Sequence, residues 1–450
     1  MQPNVLFFVI DSLRGDRLFG KNKNAKTPNI DFLMKQGAYF NNSVTTSDFT
    51  KPIVQSIFTA KNPVGCGDLS AGYYSKIIPE KLNLLNVLKD NNYQIYGLME
   101  DALCLAGLNN GMENQKDAGY DSSLTLHNGL EKKIFQILDK IQAQQRPWFY
   151  YVHVEDLHRP CIVPEDFVNL TLSERYNFNL ETVDSCIGKI LEKIDLKNTL
   201  IIITGDHGEY LNPFDNYAGN QDNSSSIEKI VKSIIKLFIP NSYRTSVHVR
   251  KKNIVRKIRQ TQIQLPHEKR LLQTRPGPDR MLFDDIIKVP LMFSGYGVKK
   301  HFIIDQQTRC IDIIPTIFDL FGLSYSQKVD GVSLKNLLEG KTMPNYPAYM
   351  ESGVIQQYKV IPKPVIGIRT DNFKYFRSLT NPNNTVNLYD LQNDPFEDHN
   401  LAKTNPEKIR DFEQILSDLR NNQDSDDLSE EISSDEKKQL EEELKKLGYI

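Results

Sequence analysis

Two adjacent residues with complementary donor chemistry close an apolar run in NTLIIITGDHGEY, residues 198–210. Asp206 offers a hard carboxylate oxygen and His207 a neutral ring nitrogen, so both can reach one divalent metal ion. A turn in which Asp206 caps a helix and His207 lies on the surface would use the same dipeptide structurally. Asp11 stands in a matching position, directly after the β-rich run Asn4–Ile10. Thr50 lies in TTSDFTKPIVQSIFTAKNP, where Asp48 and Pro52 favour a helix start and Ile53, Ile57 and Phe58 mark an apolar face. A hydroxyl at a helix N-terminus sits where free backbone N–H groups and the positive dipole end favour an anion. Two of the chain's eight histidines, His153 and His158, follow or end the run Trp148–Val154.

These residues need elements that bring them together. Leu200–Thr204 is continuously apolar or β-branched, the pattern of a strand buried on both faces of a parallel sheet. Asn4–Ile10, Tyr93–Met99 (ending at Glu100), Trp148–Val154 and IIKVPLMFSG (286–295) read the same way. Leu130–Gln142 has the helical period of a crossover; in TPNIDFLMKQGAYF (27–40), Ile30, Leu33 and Met34 have helical spacing, with Pro28 near the start and Gly37 as an expected C-cap. RCIDIIPTIFDLFGL (309–323) reads as an amphipathic helix ending near Gly322. Strands alternating with helices imply an α/β fold with a mostly parallel sheet, whose ligands bind beyond the carboxyl ends of the strands. Tyr349–Asn400 reads as a small antiparallel unit, and the acidic tail Asp424–Glu443 as a solvent-exposed helix with a flexible lead-in.

The chain has 450 residues, 39% hydrophobic and 25% charged, with a net charge of −2. That balance argues against a general nucleic-acid binder. Local charge is another matter: Arg244–Arg270 holds nine Lys/Arg against one Glu, a net +8, inside a polar insertion at 212–280. It reads either as a solvated insertion or as a basic lid for an anionic polymer. The five cysteines (Cys66, Cys104, Cys161, Cys186, Cys310) form no CxxC pair, so no disulfide framework or thiolate zinc site is expected. No run reaches the ~20 apolar residues of a membrane span, and the N-terminus enters a strand without a basic leader, so a soluble cytoplasmic protein is expected.

Taken together, several stretches resemble the sulfatase family of the alkaline phosphatase superfamily. NVLFFVIDSLRGD is similar to its first metal strand, TPNIDFLMKQGAYFNN to the segment that follows, and DFTKPIVQSIFT to the nucleophile segment with its Cys/Ser/Thr-x-Pro pattern. YVHVEDLHRP, TGDHGE, IKVPLMFSG, IDIIPTIFDLFGL with VDGVSL, NLYDLQNDPFEDHNLA and LKKLGYI resemble later segments in the family's order. The resemblance spans nearly the whole chain except 212–280. It implies an alkaline phosphatase-like α/β fold: a central mostly parallel sheet flanked by helices in residues 1–345, a small antiparallel sheet subdomain at 346–420 and an acidic helical tail at 421–450.

It also implies roles. Asp11, Thr50, Asp206 and His207 would bind one divalent metal (Mg, Mn or Ca), Thr50 would be the nucleophile, and His158 would contact the anion or leaving group. His153 would assist in binding substrate, and Arg280 is the nearest basic residue to another family lysine. The chain departs from the pattern at Ser12, where a second Asp is usual, at Val54, where an Arg is usual, and in lacking a Lys-x-His element after Tyr93–Gly97. Sulfatases convert the Cys or Ser of this motif to a formylglycine hydrate; the methyl of Thr50 blocks that conversion. The expected activity is therefore hydrolysis or transfer of a phosphate or sulfate ester, carried on a saccharide or polymer, with phosphoryl chemistry favoured and true sulfatase action the alternative. A catalytically silent member that docks a partner through its basic insertion is the rival from another class.

Overall fold

The computed structural model describes residues 2–66, 75–77, 83–211, 265–271, 282–299, 302–352, 364–421, 429–431 and 433–446. Its centre is β1 (Asn4–Ile10), flanked on one side by β6 (Trp148–Val154) and on the other by β7 (Thr199–Gly205), both parallel to it. Beyond β6 lie β4 (Gln94–Glu100) and the short β5 (Gly119–Tyr120). Beyond β7 come β8 (Lys288–Gly295) and β2 (Gly37–Val44), with β9 (Phe302–Ile304) and β10 (Thr308–Arg309) paired to β2. Only β8 runs against the others among the described strands.

Alternation along β1 explains why the sheet is covered on both faces. Val5, Phe7 and Val9 pack with the helices Thr50–Thr59 and Ile313–Phe321, while Leu6, Phe8 and Ile10 pack with Pro28–Gln36, Leu130–Gln142 and Leu172–Leu191. All six are at most 3% exposed, and burial of each such side chain contributes about 1.5–3 kcal/mol. In-register pairing of β7, β1 and β6 ends at Gly205, Ile10 and Val154. Asp206, Asp11 and Glu155 therefore leave the sheet side by side at one edge.

A second, antiparallel sheet runs β11 (Ala348–Glu351), β12 (Val365–Arg369), β13 (Phe373–Ser378), β14 (Asn387–Asp390). The helix Pro406–Asn421 covers one face with Phe412 and Leu416; the other meets Phe283, Ile286 and Ile287 beside β8. Buried ion pairs bind the two sheets: Asp284 pairs with Arg369 (2.8 Å) and with Lys374, and Lys374 also with Glu397 (2.6 Å).

Gly37 closes its helix as the expected C-cap; at φ −138°, ψ −151° it is extended and also begins β2. A Cβ there would collide with the Phe293 carbonyl of β8, so the close pairing itself demands glycine. Two expectations need correction. The tail is not a free solvent helix. Ser434–Lys446 packs on the helix Asp101–Leu105, buries Leu440 completely and pairs Lys446 with Asp121 (2.5 Å). A backbone pair between β3 (Ser75–Ile77) and β15 (Ser429–Glu431) also returns it to the body. Finally, Arg270 in the return end of the basic insertion is 6% exposed rather than solvated. Its helix, Pro266–Leu271, reaches the carbonyls of Phe396 and Glu397 through Arg270 and Asp398 through His267. Most of the insertion, Arg280 included, lies outside the described residues.

Candidate metal and ester site

Asp11, Asp206 and His207 converge: one potential ligand atom from each lies within 4.8 Å of the others, and all three side chains are buried. Thr50 joins them as the first residue of its helix, which starts after Phe49 without the side-chain cap expected of Asp48. Its Oγ1 donates to Asp11 Oδ2 (3.3 Å) and lies 3.5 Å from His207 Nε2.

The local hydrogen bonds suit a cation. His207 Nδ1 donates to the Gly208 carbonyl (2.9 Å), which fixes the tautomer and turns Nε2 toward Thr50 (3.5 Å) and Asp206 (3.6 Å). Asp206 Oδ1 accepts from the backbone N–H groups of Ser12 (3.0 Å) and His207 (2.7 Å), whereas its buried Oδ2 accepts no hydrogen bond. Burial works to raise the Asp11 carboxyl, but His158, His207, His153 and the Ser12 hydroxyl pull it well below the usual range. For Asp206, burial and then the Asp11 charge push the carboxyl well above it. Two buried carboxylates, one with an orphaned oxygen, and an imidazole nitrogen turned toward them form an oxygen-plus-nitrogen set that fits Mg, Mn or Ca.

His158 is 6% exposed, and its Nδ1 donates to the Arg159 carbonyl (2.8 Å). His153 lies on β6 beside Val9, 1% exposed, with Nδ1 3.0 Å from the Tyr151 hydroxyl. Burial pushes it down to about 4 against the raising effect of Asp11, so it is neutral near pH 7. Both imidazoles are close enough to Asp11 for its charge to act on them.

Several residues here have roles that the sequence did not assign. Ser12, at φ +62°, donates its hydroxyl to Asp11 Oδ1 (2.6 Å) and its N–H to Asp206, orienting both carboxylates. Lys51, 3% exposed next to Thr50, has its ammonium pushed down to about 7 by burial. Glu100, at the end of β4, is pushed up to about 7, chiefly by burial. Glu209 pairs with Arg159 (3.4 Å) just behind the second loop. Their burial follows from the tertiary fold and no local pattern encodes it.

The fold brings Asp11, Thr50, Asp206 and His207 together at one strand edge, in a set that could hold a metal ion. The sulfatase family model matches residues 3–323, and a model described as N-sulphoglucosamine sulphohydrolase, C-terminal, matches 278–443. The chain belongs to the sulfatase family, whose members are metal-dependent. It is 31% identical over 126 residues to a Delta 4,5-hexuronate-2-O-sulfatase of Bacteroides thetaiotaomicron, covering 27% of this chain and 25% of that protein. It is 20% identical to an ulvan-active sulfatase of Formosa agariphila over 89% of this chain and 77% of the relative. The chain thus spans only a quarter of the first of these relatives.

Among solved structures, one in complex with its substrate D-glucosamine-2-N,6-O-disulfate aligns with a TM-score of 0.64 at 17% identity, over 94% of this chain and 99% of that one. A phosphonate monoester hydrolase of Silicibacter pomeroyi aligns with a TM-score of 0.59 at 16% identity, over 96% and 99%. Both likenesses concern the fold.

Proposed function

We propose that the chain is a metal-dependent hydrolase of sulfuric or phosphoric esters in which the Thr50 hydroxyl attacks the central atom of the ester. The observation that carries this reading is the placement of Thr50 Oγ1 at 3.3 Å from Asp11 and 3.5 Å from His207, at the first position of a buried helix. Asp11, Asp206 and His207 would hold the ion and Thr50 would complete the set. A divalent ion bound there supplies Lewis acidity that favours the alkoxide and neutralises an ester oxygen.

The chain's own residues account for the rest. Asp11 orients the Thr50 hydroxyl, and the N-terminus of helix Thr50–Thr59 presents N–H groups and a positive dipole end to the ester anion. His158, when protonated, would deliver the Nε2 proton to the leaving oxygen as a general acid. His153, neutral, contributes a hydrogen bond and no charge. The carboxylates of Glu100 and Glu155 would repel a dianion if both were ionised; the upward shift of Glu100 limits that repulsion.

The names of the relatives support a sulfate ester, and those of two structural neighbours support a sulfated saccharide: D-glucosamine-2-N,6-O-disulfate and k-i-k-neocarrahexaose. Thr50 supports a second reading, phosphoryl hydrolysis or transfer. A sulfo-threonine lacks the second hydroxyl through which a formylglycine hydrate collapses. A phosphothreonine, by contrast, can be attacked in line at phosphorus by water or an acceptor alcohol, releasing the Thr50 oxygen. One aryl leaving group carried on sulfate, phosphate monoester and phosphodiester, assayed with and without an added alcohol, separates the two. Highest kcat/KM on the sulfate, lost in Thr50→Ala, supports the sulfatase reading; highest on a phosphate supports the second. No metal-dependent turnover of any of them would leave a silent family member as the better account.

A further inference from the structure

The two loops that carry the candidate ligands do not hold each other through the ligands alone. Arg14, three residues after Asp11 and 13% exposed in its side chain, lies between them. Its Nε and Nη2 donate to the two carboxylate oxygens of Asp16 (2.9 and 3.1 Å), which keeps the guanidinium plane fixed within its own loop. Its Nη1 then donates to the backbone carbonyl of Glu209 (2.8 Å), two residues beyond His207, and to Asp285 Oδ1 (3.1 Å). On the far side, Asp285 Oδ2 faces Arg270 Nη2 at 3.5 Å, on the return helix of the basic insertion. Each loop is also backed by a separate neighbour. The Tyr176 hydroxyl accepts from the Arg14 N–H (2.8 Å) and donates to the Ser12 carbonyl (2.9 Å), while the Gly208 N–H donates to the Ile286 carbonyl (2.6 Å).

We propose that Arg14 is the positioning residue of the metal site. Through Glu209 and Asp285 it sets the spacing between the Asp11 loop and the Asp206–His207 loop, and the Asp285–Arg270 contact extends that control to the end of the insertion. The proposal rests on the metal reading given above. Arginine suits the task because its rigid planar fork can serve three acceptors at once; a lysine retains the charge but not the fork. Residues that orient ligands from behind typically change metal affinity by about 10–100-fold when replaced.

The test measures Mn²⁺ binding to the full chain by titration calorimetry, alongside the melting temperature of the same samples after chelation. Arg14→Lys is expected to fold with a chelated melting temperature close to wild type and to bind Mn²⁺ about 10–100-fold more weakly. Arg14→Ala should be weaker still, and Arg270→Gln should show a smaller loss in the same direction. A loss of affinity without a matching loss of melting temperature marks positioning rather than general destabilisation. Arg14→Lys binding Mn²⁺ within about twofold of wild type overturns the proposal even if Arg14→Ala fails to fold. Should Arg14→Lys itself fail to fold, unchanged affinity in Arg270→Gln overturns it. A wild-type chain that binds no divalent ion refutes the metal reading itself, and this inference with it, and that result is visible before any variant is made.

Discussion

At the scale of single residues, the account depends on a hydroxyl that has no intrinsic reason to react. A threonine becomes a useful nucleophile only where its proton has somewhere to go and its oxyanion is stabilised. Thr50→Ala should therefore reduce kcat on any accepted ester by about 10⁴-fold or more, as loss of a nucleophile does elsewhere, with the fold retained as judged by the circular dichroism spectrum. Thr50→Ser should keep measurable turnover. His158→Gln tests a different step. It should cost about 10²–10⁴-fold with a poor leaving group and much less with nitrophenolate, which needs no proton; equal losses on both would remove His158 from the general-acid role. Much of this residue set was legible in the sequence, because Asp11, Thr50, His158, Asp206 and His207 each follow or begin a strongly patterned element. Ser12 was not: it looks like a missing ligand in the sequence, yet its N–H and hydroxyl orient both carboxylates, which its positive φ makes geometrically open to it.

At the scale of elements, the strands buried on both faces were readable because nearly every inner position is apolar or β-branched, whichever face it meets. β2 was hidden: GAYFNNSV carries polar residues at its middle, and the pairing with β8, not local propensity, makes it a strand. The joint between the two sheets was equally silent, since a lone Asp284 has no sequence partner. In the structure, burial alone would raise its carboxyl, but Arg369 and Lys374 outweigh that and hold it far below the ordinary carboxylate range. A depressed folded value means that this contribution to stability is fully present above the unfolded value near ~3.9 and is lost as pH falls below it. Asp284→Asn should destabilise the chain by about 3–5 kcal/mol near neutrality, since it leaves Lys374 and Arg369 buried with one partner fewer. Denaturant unfolding from pH 7 down to about pH 2 should show the wild-type advantage shrinking in the acid range; an advantage that persists undiminished at the acid end would contradict the pairing.

At the scale of the whole molecule, the edge of one sheet collects groups from residues 11, 50, 158 and 206–207, and the C-terminal sheet clamps that edge through the segment before β8. The insertion remains legible only as charge. If its Lys/Arg residues capture a polyanionic ester, replacing Arg250, Lys251, Lys252 and Arg256 with Gln should raise KM and flatten its salt dependence while leaving kcat nearly intact. An unchanged salt response would return the segment to a solvated insertion. Binding of an ion to the folded chain alone should also raise the melting temperature with ion concentration, by about 2.7 kcal/mol of stability at a hundredfold excess over Kd. The most direct measurement is a crystal structure of the full chain soaked in Mn²⁺, with anomalous differences collected at the manganese edge. The account predicts one strong peak at roughly 2.0–2.6 Å from carboxylate oxygens of Asp11 and Asp206 and from His207 Nε2, with Thr50 Oγ1 beside it. Mn²⁺ bound elsewhere while these three side chains stay bare, or no peak at saturating Mn²⁺, would contradict it.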